Sequence, residues 1–254
     1  MTSVPKSAAP SLAPHQPLRQ YYADEGERRR LLDRLFDRSA ADYDRINNWM
    51  SFGSGESYRD DTLGRAGLQP GMRVLDVATG TGPVAKAEAA RVGRGNVIGL
   101  DPSVGMLLRA RAAAGVPVVR ALGEQLPWRD ESFDFLSMGY ALRHVGDLAT
   151  AFAEYFRVLR PGGVVVLLEV ARPQSRVQRA MLGLYLGRVI PWLTRWRTKN
   201  AEAETVMRYF WDTIDQCVPA EQILAALAAA GFESPRRSTR LGMLAEYVAH
   251  RPRT

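Results

Sequence analysis

Two acids and a glycine turn are the residues of this chain whose types and spacing most clearly suggest chemistry. Asp76 lies within a short apolar run, and the turn Gly80-Thr81-Gly82 follows it four residues later. A second apolar run, 96–100, ends at Asp101. Glycines let the backbone approach a ligand closely, and an acid at a strand tip can accept hydrogen bonds from both hydroxyls of a ribose. The pattern predicts a site for an adenosine-bearing cofactor at the edge of an α/β sheet.

The nature of that cofactor depends on Asp76. Residues 80–85 also fit the dinucleotide pattern G-x-G-x-x-G/A, so a nicotinamide enzyme is one alternative. A carboxylate just before the turn is badly placed for a pyrophosphate but well placed for an ammonium group. S-adenosylmethionine (SAM) has an amino group and a sulfonium and carries no phosphate. We therefore expect SAM, with Asp76 facing the methionine end and Asp101 the ribose; alternatively, Asp76 only caps the next helix.

Composition limits the class of protein. The 254 residues are 46% hydrophobic, enough for one large α/β domain with a core. The single cysteine, Cys217, excludes a disulfide framework and suits a reducing cytoplasm, and three scattered histidines give little basis for a metal site. No apolar run is long enough to predict a membrane-spanning helix. Residues 1–24 are expected to be a disordered leader, rich at first in Pro, Ala and Ser.

The positive charge of the chain is concentrated in one segment. Seven arginines and lysines and no acid lie between 172 and 199, which equals the whole net charge of +7. Apolar and aromatic residues alternate with them, including Tyr185, Trp192 and Trp196. This composition favours an interfacial helix or the rim of an apolar pocket. The alternatives are an ordinary cap helix with a solvated basic face, and nucleic-acid binding, which we do not expect.

The order of the predicted elements indicates the fold class. Strands are expected near 74–78, 97–100, 116–119, 133–138 and 164–168, alternating with helices at 82–92, 103–114 and 147–159. A helix at 25–48 precedes them; a helix at 219–230 and strands near 234–239 and 244–250 end the chain. This order predicts a doubly wound, mostly parallel seven-stranded sheet with an antiparallel C-terminal hairpin. Residues 172–218 interrupt the alternation and are expected to form a helical lid on a single domain, 25–254.

Several motifs resemble the UbiE/MenG group of class I SAM-dependent methyltransferases, which C-methylate ubiquinone and menaquinone precursors. The most specific is 36–53, FDRSAADYDRINNWMSFG, which is similar to the family's F-D-x-x-A-x-x-Y-D-x-x-N-x-x-M-S-x-G. The stretches 124–128 (EQLPW), 140–145 (YALRHV) and 168–173 (LEVARP) resemble A-E-x-L-P-F, F-G-L-R-N-V and L-E-F-S-K-P. The resemblance covers about 33–250 and identifies the chain as a divergent member.

The resemblance implies a set of site residues. Those expected to bind SAM are Tyr43, Asp76, Thr79, Gly80, Gly82, Asp101, Pro102, Met106, Gly123, Glu124 and Gly139. The residues expected to contact the acceptor are Tyr140, Glu169, Tyr185, Tyr209 and Trp211. Two departures bear on this set. Leu122 stands where the family has an acid or amide, so the adenine must be recognised by backbone, and His144 replaces the family's asparagine.

Methyl transfer to a hydroquinone carbon requires a base near the phenol and a cation to hold the phenolate. His144 is the candidate base, because its ordinary pKa near 6.5 suits proton transfer at neutral pH. Arg143 is the candidate phenolate stabiliser. The alternative for His144 is a structural histidine. For Glu169 it is a strand-end acid that pairs with an arginine of the lid. For Tyr185, Tyr209 and Trp211 it is packing within the lid.

The function predicted from the sequence is methyl transfer from SAM to a lipophilic aromatic acceptor, a prenylated quinol in quinone biosynthesis. One alternative is O- or N-methylation of a specialised metabolite. Another, from outside the enzymes, is a SAM-sensing or membrane-associated scaffold. The expected location is the cytoplasm, with peripheral contact to the inner face of the membrane through 172–199. The sequence does not indicate the oligomeric state.

Overall fold

A computed structural model of the chain describes residues 11–50, 55–172, 175–198, 201–240 and 243–253. Within the helices, the side chains of 38–50, 198 and 201–203 are not described. The described residues form a central β-sheet with helices on both faces. A further helical layer, absent from a minimal α/β sheet, covers the edge of the sheet where the parallel strands end.

The sheet has seven strands in the order β3-β2-β1-β4-β5-β7-β6. Their bounds are β1 Val74–Val77, β2 Val97–Asp101, β3 Val118–Arg120, β4 Phe133–Gly139, β5 Leu159–Val170, β6 Glu233–Arg240 and β7 Leu244–His250. Strands β1 to β5 pair in parallel, whereas β7 is antiparallel to both β5 and β6. The predicted fold class, a mostly parallel seven-stranded sheet with an antiparallel C-terminal hairpin, is confirmed.

Nine α-helices occur in the part of the chain that the structure describes. They are α1 Glu25–Met50, α2 Gly55–Arg65, α3 Pro83–Val92, α4 Val104–Ala114, α5 Leu148–Val158, α6 Arg176–Leu184, α7 Ile190–Thr198, α8 Ala201–Asp215 and α9 Ala220–Ala229. A π-helical turn, Tyr185–Val189, joins α6 to α7 without a break. We call α6, this turn, α7 and α8 the cap helices.

The apolar runs of the sequence form the central strands because both faces of the sheet are covered. All four residues of β1 are buried, as are Val165, Val166 and Leu167 in β5. One hydrophobic cluster lies between the sheet and α5 and α9, and a second lies between the sheet and α2 and α3. Both clusters pack against β1 and β2 and so hold the ends of these strands, with Asp76 and Asp101, in fixed positions.

Helix α2 was not predicted from the sequence. Its segment, GESYRDDTLGR, is mostly polar, and only Thr62 and Leu63 are buried, so it lacks the apolar period that reveals a helix. Long-range polar contacts hold it in place. Glu246 of β7 accepts hydrogen bonds from Thr62 Oγ1 at 2.9 Å and from Arg65 Nη2 at 2.8 Å.

The prediction of a disordered leader over 1–24 is wrong for residues 11–24. The Leu12 amide donates to Asp147 at 2.6 Å, and the Val218 amide donates to the Pro14 carbonyl at 2.9 Å. Leu18 and Tyr22 are buried in a cluster with Tyr209. Composition missed this segment because a few apolar residues, placed against the cap helices, are enough to order an irregular strap. Residues 1–10 lie outside the described residues.

None of the described helices combines the length and the apolar character that crossing a membrane requires.

Candidate active site

A cavity of about 800 Å³ lies where the parallel strands end, between the sheet, α1 and the cap helices. It is centred on β1 and β4, where the strand order reverses, which is the usual ligand site of an open α/β sheet. Polar residues of the loops after β1 and β2 line one part of the wall. Apolar residues of α1, the cap helices and the strand ends line another; they include Phe36, Val170, Leu182, Leu186, Phe210, Ile214 and Leu244. One continuous space therefore has a polar region and an apolar region.

Asp101, at the end of β2, organises the polar region. Its two carboxylate oxygens accept hydrogen bonds from the amides of Gly80 and Ser103, each at 2.9 Å. Burial raises the pKa of Asp101 to about 6, although these amides act in the opposite direction. The carboxylate is thus fixed in orientation, and its remaining lone pairs can receive the hydroxyls of a ribose.

Asp76 is completely buried and accepts three hydrogen bonds. They come from Thr79 Oγ1 at 2.6 Å, from Ser137 Oγ at 3.1 Å and from the Ala85 amide at 3.1 Å, at the start of α3. Burial raises its pKa to about 7. Asp76 therefore caps α3, which was the alternative role considered for it from the sequence. It also lies in the cavity wall.

Glu88, on the buried face of α3, was not expected from the sequence. Its side chain is completely buried, and neither carboxylate oxygen has a hydrogen-bond partner among the described residues. Burial, and then the charge of Asp76, raises the pKa of Glu88 well above its ordinary value. The two acids consequently form one buried group beneath the glycine turn, and they cannot both be ionised at low cost.

The glycine turn fits closely between two helices. Gly82 has a φ of 89°, and a Cβ atom there would lie 2.9 Å from the Cα of Ala110 in α4. Any side chain would push α3 away from α4 and displace the turn. The requirement for glycine at this position thus comes from helix packing as well as from the ligand.

Two residues other than glycine have left-handed backbone conformations at the cavity. Ala78 follows β1 with φ of 54°, and Tyr140 follows β4 with φ of 60°. β1 and β4 are paired neighbours, so both strained residues lie at the point where the strand order reverses. Such strain persists only where the surroundings enforce it, and it is concentrated at functional sites. Here it turns the Tyr140 side chain into the cavity wall.

His144 lies in the cavity wall within an aromatic cluster. Its ring centroid is 5.2 Å from that of Phe36, 5.7 Å from that of Tyr209 and 5.8 Å from that of Phe210. Both ring nitrogens are buried and lack a partner within the described part of the chain. Burial, and then the positive charges of Arg143 and Arg28, lowers the pKa of His144 well below its ordinary value. The imidazole is therefore neutral at physiological pH.

Arg143 and Glu169 form a buried ion pair behind this wall. Arg143 is 0% exposed; its Nη1 contacts Glu169 Oε1, and its guanidinium lies 3.9 Å from the centroid of the Phe210 ring. Neither residue lines the cavity. Both residues were predicted to contact the acceptor directly. Their position behind the wall does not agree with that prediction. The alternative given for Glu169, a strand-end acid paired with an arginine, describes its position, although the arginine is Arg143 and not one of the lid.

The cap aromatics have different positions. Tyr185 lines the cavity, but Tyr209 is buried behind it, between Tyr21 and His144. Trp211 covers two glycines of the cap: a Cβ atom on Gly183 or Gly187 would lie 2.9 or 3.0 Å from its ring. Both Tyr209 and Trp211 are therefore packing residues. Trp211 packs on the glycine face of α6 and the π-helical turn and does not reach the cavity.

The cavity brings together most of the predicted site. In its wall lie Asp76, Thr79, Gly80, Asp101, Pro102, Met106, Gly123, Glu124, Gly139, Tyr140, His144 and Tyr185. Gly82 stands in the same turn, just behind the wall. The side chain of Tyr43 is outside the described residues. Leu122 is also in the wall, so an apolar side chain occupies the position where the resemblance implies an acid or amide.

From α1 the sequence predicted only Tyr43 as a site residue, and from α2 it predicted none. Arg28, Leu32 and Phe36 line the cavity from α1, and Tyr58 and Arg59 line it from α2. The three α1 residues are four apart, which places them on one face of a helix, so their spacing was a usable signal. Arg28 is buried and donates to the Val145 carbonyl at 3.0 Å, beside His144. α2 offers no comparable signal.

The side chains around the glycine turn suit SAM. The charged groups hydrogen-bonded to the turn and the residues beside it, Asp76 and Asp101, are acids, which favours an ammonium and a ribose over a pyrophosphate. Met106 is buried against the cavity, after Asp101 in the chain, where it can pack on an adenine. Among the described residues, no group of three or more metal-ligating side chains occurs.

Comparison with known proteins agrees with this site. The ubiE/COQ5 methyltransferase family matches residues 23–250. A demethylmenaquinone methyltransferase of Symbiobacterium thermophilum is 33% identical over 89% of this chain and 95% of its own length. A ubiquinone/menaquinone biosynthesis C-methyltransferase of a Shewanella species is 35% identical over 78% of this chain and 81% of its own length.

Solved structures support the fold. Phosphoethanolamine N-methyltransferase 2 of Haemonchus contortus, solved with SAM, has a TM-score of 0.64 at 19% identity and covers 89% of this chain and 60% of its own. A possible histamine N-methyltransferase of Thermotoga maritima has a TM-score of 0.61 at 20% identity over 86% of this chain and 98% of its own. The sheet order, the acid-lined glycine turn and the match over 23–250 lead to one conclusion: the chain belongs to the ubiE/COQ5 family of SAM-dependent methyltransferases.

Proposed function

We propose that this enzyme methylates a ring carbon of a lipophilic quinol, a demethylated menaquinol or ubiquinol precursor. The observation that carries the proposal is the continuity of the cavity, whose SAM region opens into an apolar region beside His144. Of the two relatives described above, one is named as a demethylmenaquinone methyltransferase and the other as a ubiquinone/menaquinone biosynthesis C-methyltransferase. An apolar chamber suits a prenylated ring better than it suits a polar metabolite.

SAM supplies an electrophilic methyl group, so the protein must align the acceptor carbon and exclude water. Ionisation of the quinol makes the ring carbon beside the oxygen nucleophilic. We assign to the neutral His144 the role of accepting the proton of the phenol. The imidazole is a weak base here, because burial and the cations Arg143 and Arg28 lower its pKa. The same cations stabilise the phenolate, which compensates for the weak base.

Arg143 is a positioning residue in this scheme. It touches Glu169 and the face of Phe210, and Phe210 in turn lies against His144 and in the cavity wall. Its charge acts on the acceptor from behind the wall. Tyr140 and Tyr185, both in the wall, are proposed to contact the quinol ring or its chain.

The test is transfer of a labelled methyl group from SAM to a demethylated quinol by the purified protein, with the product located by fragment mass spectrometry. His144→Ala should lower kcat about 100-fold or more without weakening SAM binding, because it removes a general base. His250→Ala, on β7, is the matched control. Label on oxygen would support the O-methylation alternative, and no transfer to any quinol would overturn the proposal.

The pH profile separates this role from that of an ordinary histidine. Because the pKa of His144 is well below its ordinary value, kcat/KM should have no inflection near pH 6.5. It should stay level from neutral pH up to the pKa of the free quinol, because the neutral His144 accepts the proton throughout that range. An inflection near 6.5 that disappears in His144→Gln would show instead that the imidazole titrates freely.

A further inference from the structure

The outer surface of the cap helices carries a continuous apolar stripe. From α6 through the π-helical turn to α7, exposed apolar side chains recur every three to five residues on one side. They are Val177, Met181, Leu184, Val189, Trp192 and Trp196, each 42–68% exposed. We call this set the cap stripe. A solvated helix normally turns such residues inward, so the stripe is the face of a helix that lacks a partner in the described chain.

The two tryptophans are the most distinctive part of the cap stripe. Trp192 and Trp196 are each 64% exposed, and their rings stack in parallel with centroids 6.3 Å apart. Tryptophan combines a large apolar ring with a polar N–H, which is the reason for its enrichment where lipid headgroups meet acyl chains.

Cations border the cap stripe. Arg176 and Arg188 are exposed beside it, and the segment 172–199 contains no acid. Two neighbouring arginines, Arg179 and Arg195, pair with Asp215 and Glu204 of α8, so part of the charge is neutralised from outside the segment. An apolar stripe bordered by arginines matches a membrane with anionic headgroups.

The opposite side of the same helices faces the cavity. Leu182, Tyr185 and Leu186 line it, one or two residues away from stripe members Met181 and Leu184. A single layer of helix therefore separates the cap stripe from the apolar region of the cavity.

We propose that the cap stripe docks on an anionic lipid bilayer and places the cavity beside the source of its acceptor. The second half of this statement rests on the proposed function, since it requires an acceptor dissolved in the membrane; the docking itself does not. A second copy of the chain is the other candidate occupant. A two-fold contact through this face would bring arginines together with no acid between 172 and 199 to pair them, so an anionic surface is the better complement.

Flotation with vesicles tests the docking. The wild-type protein should float with phosphatidylglycerol-containing vesicles and bind pure phosphatidylcholine at least tenfold more weakly. The double variant Trp192→Ala/Trp196→Ala should lose at least tenfold in binding to the anionic vesicles. Arg176→Gln/Arg188→Gln should lose a similar factor, because each arginine near an anionic surface contributes about fivefold. Leu108→Ala, which removes a 65% exposed leucine from α4, is the matched control and should bind normally.

Activity with two acceptors separates this proposal from the proposed function. With a short-chain quinol in free solution, the tryptophan double variant should keep wild-type kcat/KM. With a long-chain quinol in vesicles, it should lose at least tenfold. Equal flotation of all variants would overturn the docking, and so would a wild-type dimer that the tryptophan substitutions convert to a monomer. Failure of the wild-type protein on both acceptors would count against the proposed function only.

Discussion

At the scale of single residues, the site depends on acids whose ionisation is costly. Asp101 accepts a hydrogen bond from the glycine turn and Asp76 accepts one from the start of α3, yet burial raises the pKa of both. A SAM molecule brings a positive charge and hydroxyl donors, which favour the ionised acids. Cofactor binding should therefore depend on pH within the ordinary working range.

Asp101 gives the first prediction. Its pKa in the free protein is about 6, and only the ionised carboxylate can accept from both ribose hydroxyls. The Kd for SAM, measured by calorimetry, should rise by up to tenfold per pH unit below about pH 6 and should level off only above about pH 7, where Asp76 is ionised as well. Asp101→Asn should bind about tenfold to a hundredfold more weakly at pH 8, because hydrogen bonds to a charged group are lost. The contradictory result is a wild-type Kd that stays constant from pH 5 to 8.

Glu88 gives a prediction about stability. Its folded pKa lies well above the ordinary value of 4.5, so the folded protein holds this proton over a range where the unfolded chain has lost it. The contribution of Glu88 to stability is complete below the unfolded pKa and is lost as pH rises through the folded pKa. Glu88→Gln keeps the shape but has no proton to lose.

Thermal unfolding between about pH 5 and 8 tests this. The wild-type protein should lose stability with rising pH, relative to Glu88→Gln, by up to about 1.4 kcal/mol per pH unit, because only the folded state holds the Glu88 proton between the unfolded and the folded pKa. Glu221→Gln, at the start of α9, is the control and should follow the wild type. Parallel pH curves for the wild type and Glu88→Gln would show that Glu88 is not protonated in the folded state.

At the scale of elements, the cap is fixed by the packing of one tryptophan on two glycines. Trp211 of α8 lies across Gly183 and Gly187, so α8 and the α6–α7 helix approach more closely than larger residues would allow. Gly183→Val should overpack this contact and cost about 1–3 kcal/mol. Limited proteolysis should then cleave residues 176–198 faster than in the wild type, because the cap helices are packed more loosely. Val177→Ala, on the exposed side of α6, is the control, and unchanged cleavage of Gly183→Val would contradict the account.

The elements also explain what the sequence could predict. Strands β1, β2, β4 and β5 were recognisable because burial on both faces leaves a continuous apolar run. The boundaries of β3 shifted, from 116–119 to Val118–Arg120, since a short edge strand has a weaker pattern. Helix α2 was missed because contacts of Thr62 and Arg65 with Glu246, distant in the chain, hold it in place.

At the scale of the whole molecule, the polar part of the site was predictable and the acceptor part was not. Asp76, Gly80 and Asp101 belong to two neighbouring strand tips, so local sequence places them. The aromatic surroundings of His144 come from α1 and α8, which only the complete fold brings together. Arg143, next to His144 in the chain, points into the core instead, which spacing alone could not indicate.

The strap formed by residues 11–22 is a second feature of the whole molecule. It crosses from Asp147 to Cys217, where His15 forms an isolated bridge, and it ends with Leu18 and Tyr22 buried against Tyr209. Tyr209 in turn stacks on His144. The strap therefore supports the acceptor side of the cavity from behind, although nothing in its composition indicates a structural role.

The central claim, that this cavity methylates a membrane quinol with SAM, is tested most directly in cells. Lipid extracts of cells that lack the protein should be compared by mass spectrometry with extracts of cells that carry the wild type or Asp101→Ala. A quinone lighter by one methyl group should accumulate without the protein and with Asp101→Ala, and it should disappear with the wild type. An identical quinone pool in all three strains would contradict the claim.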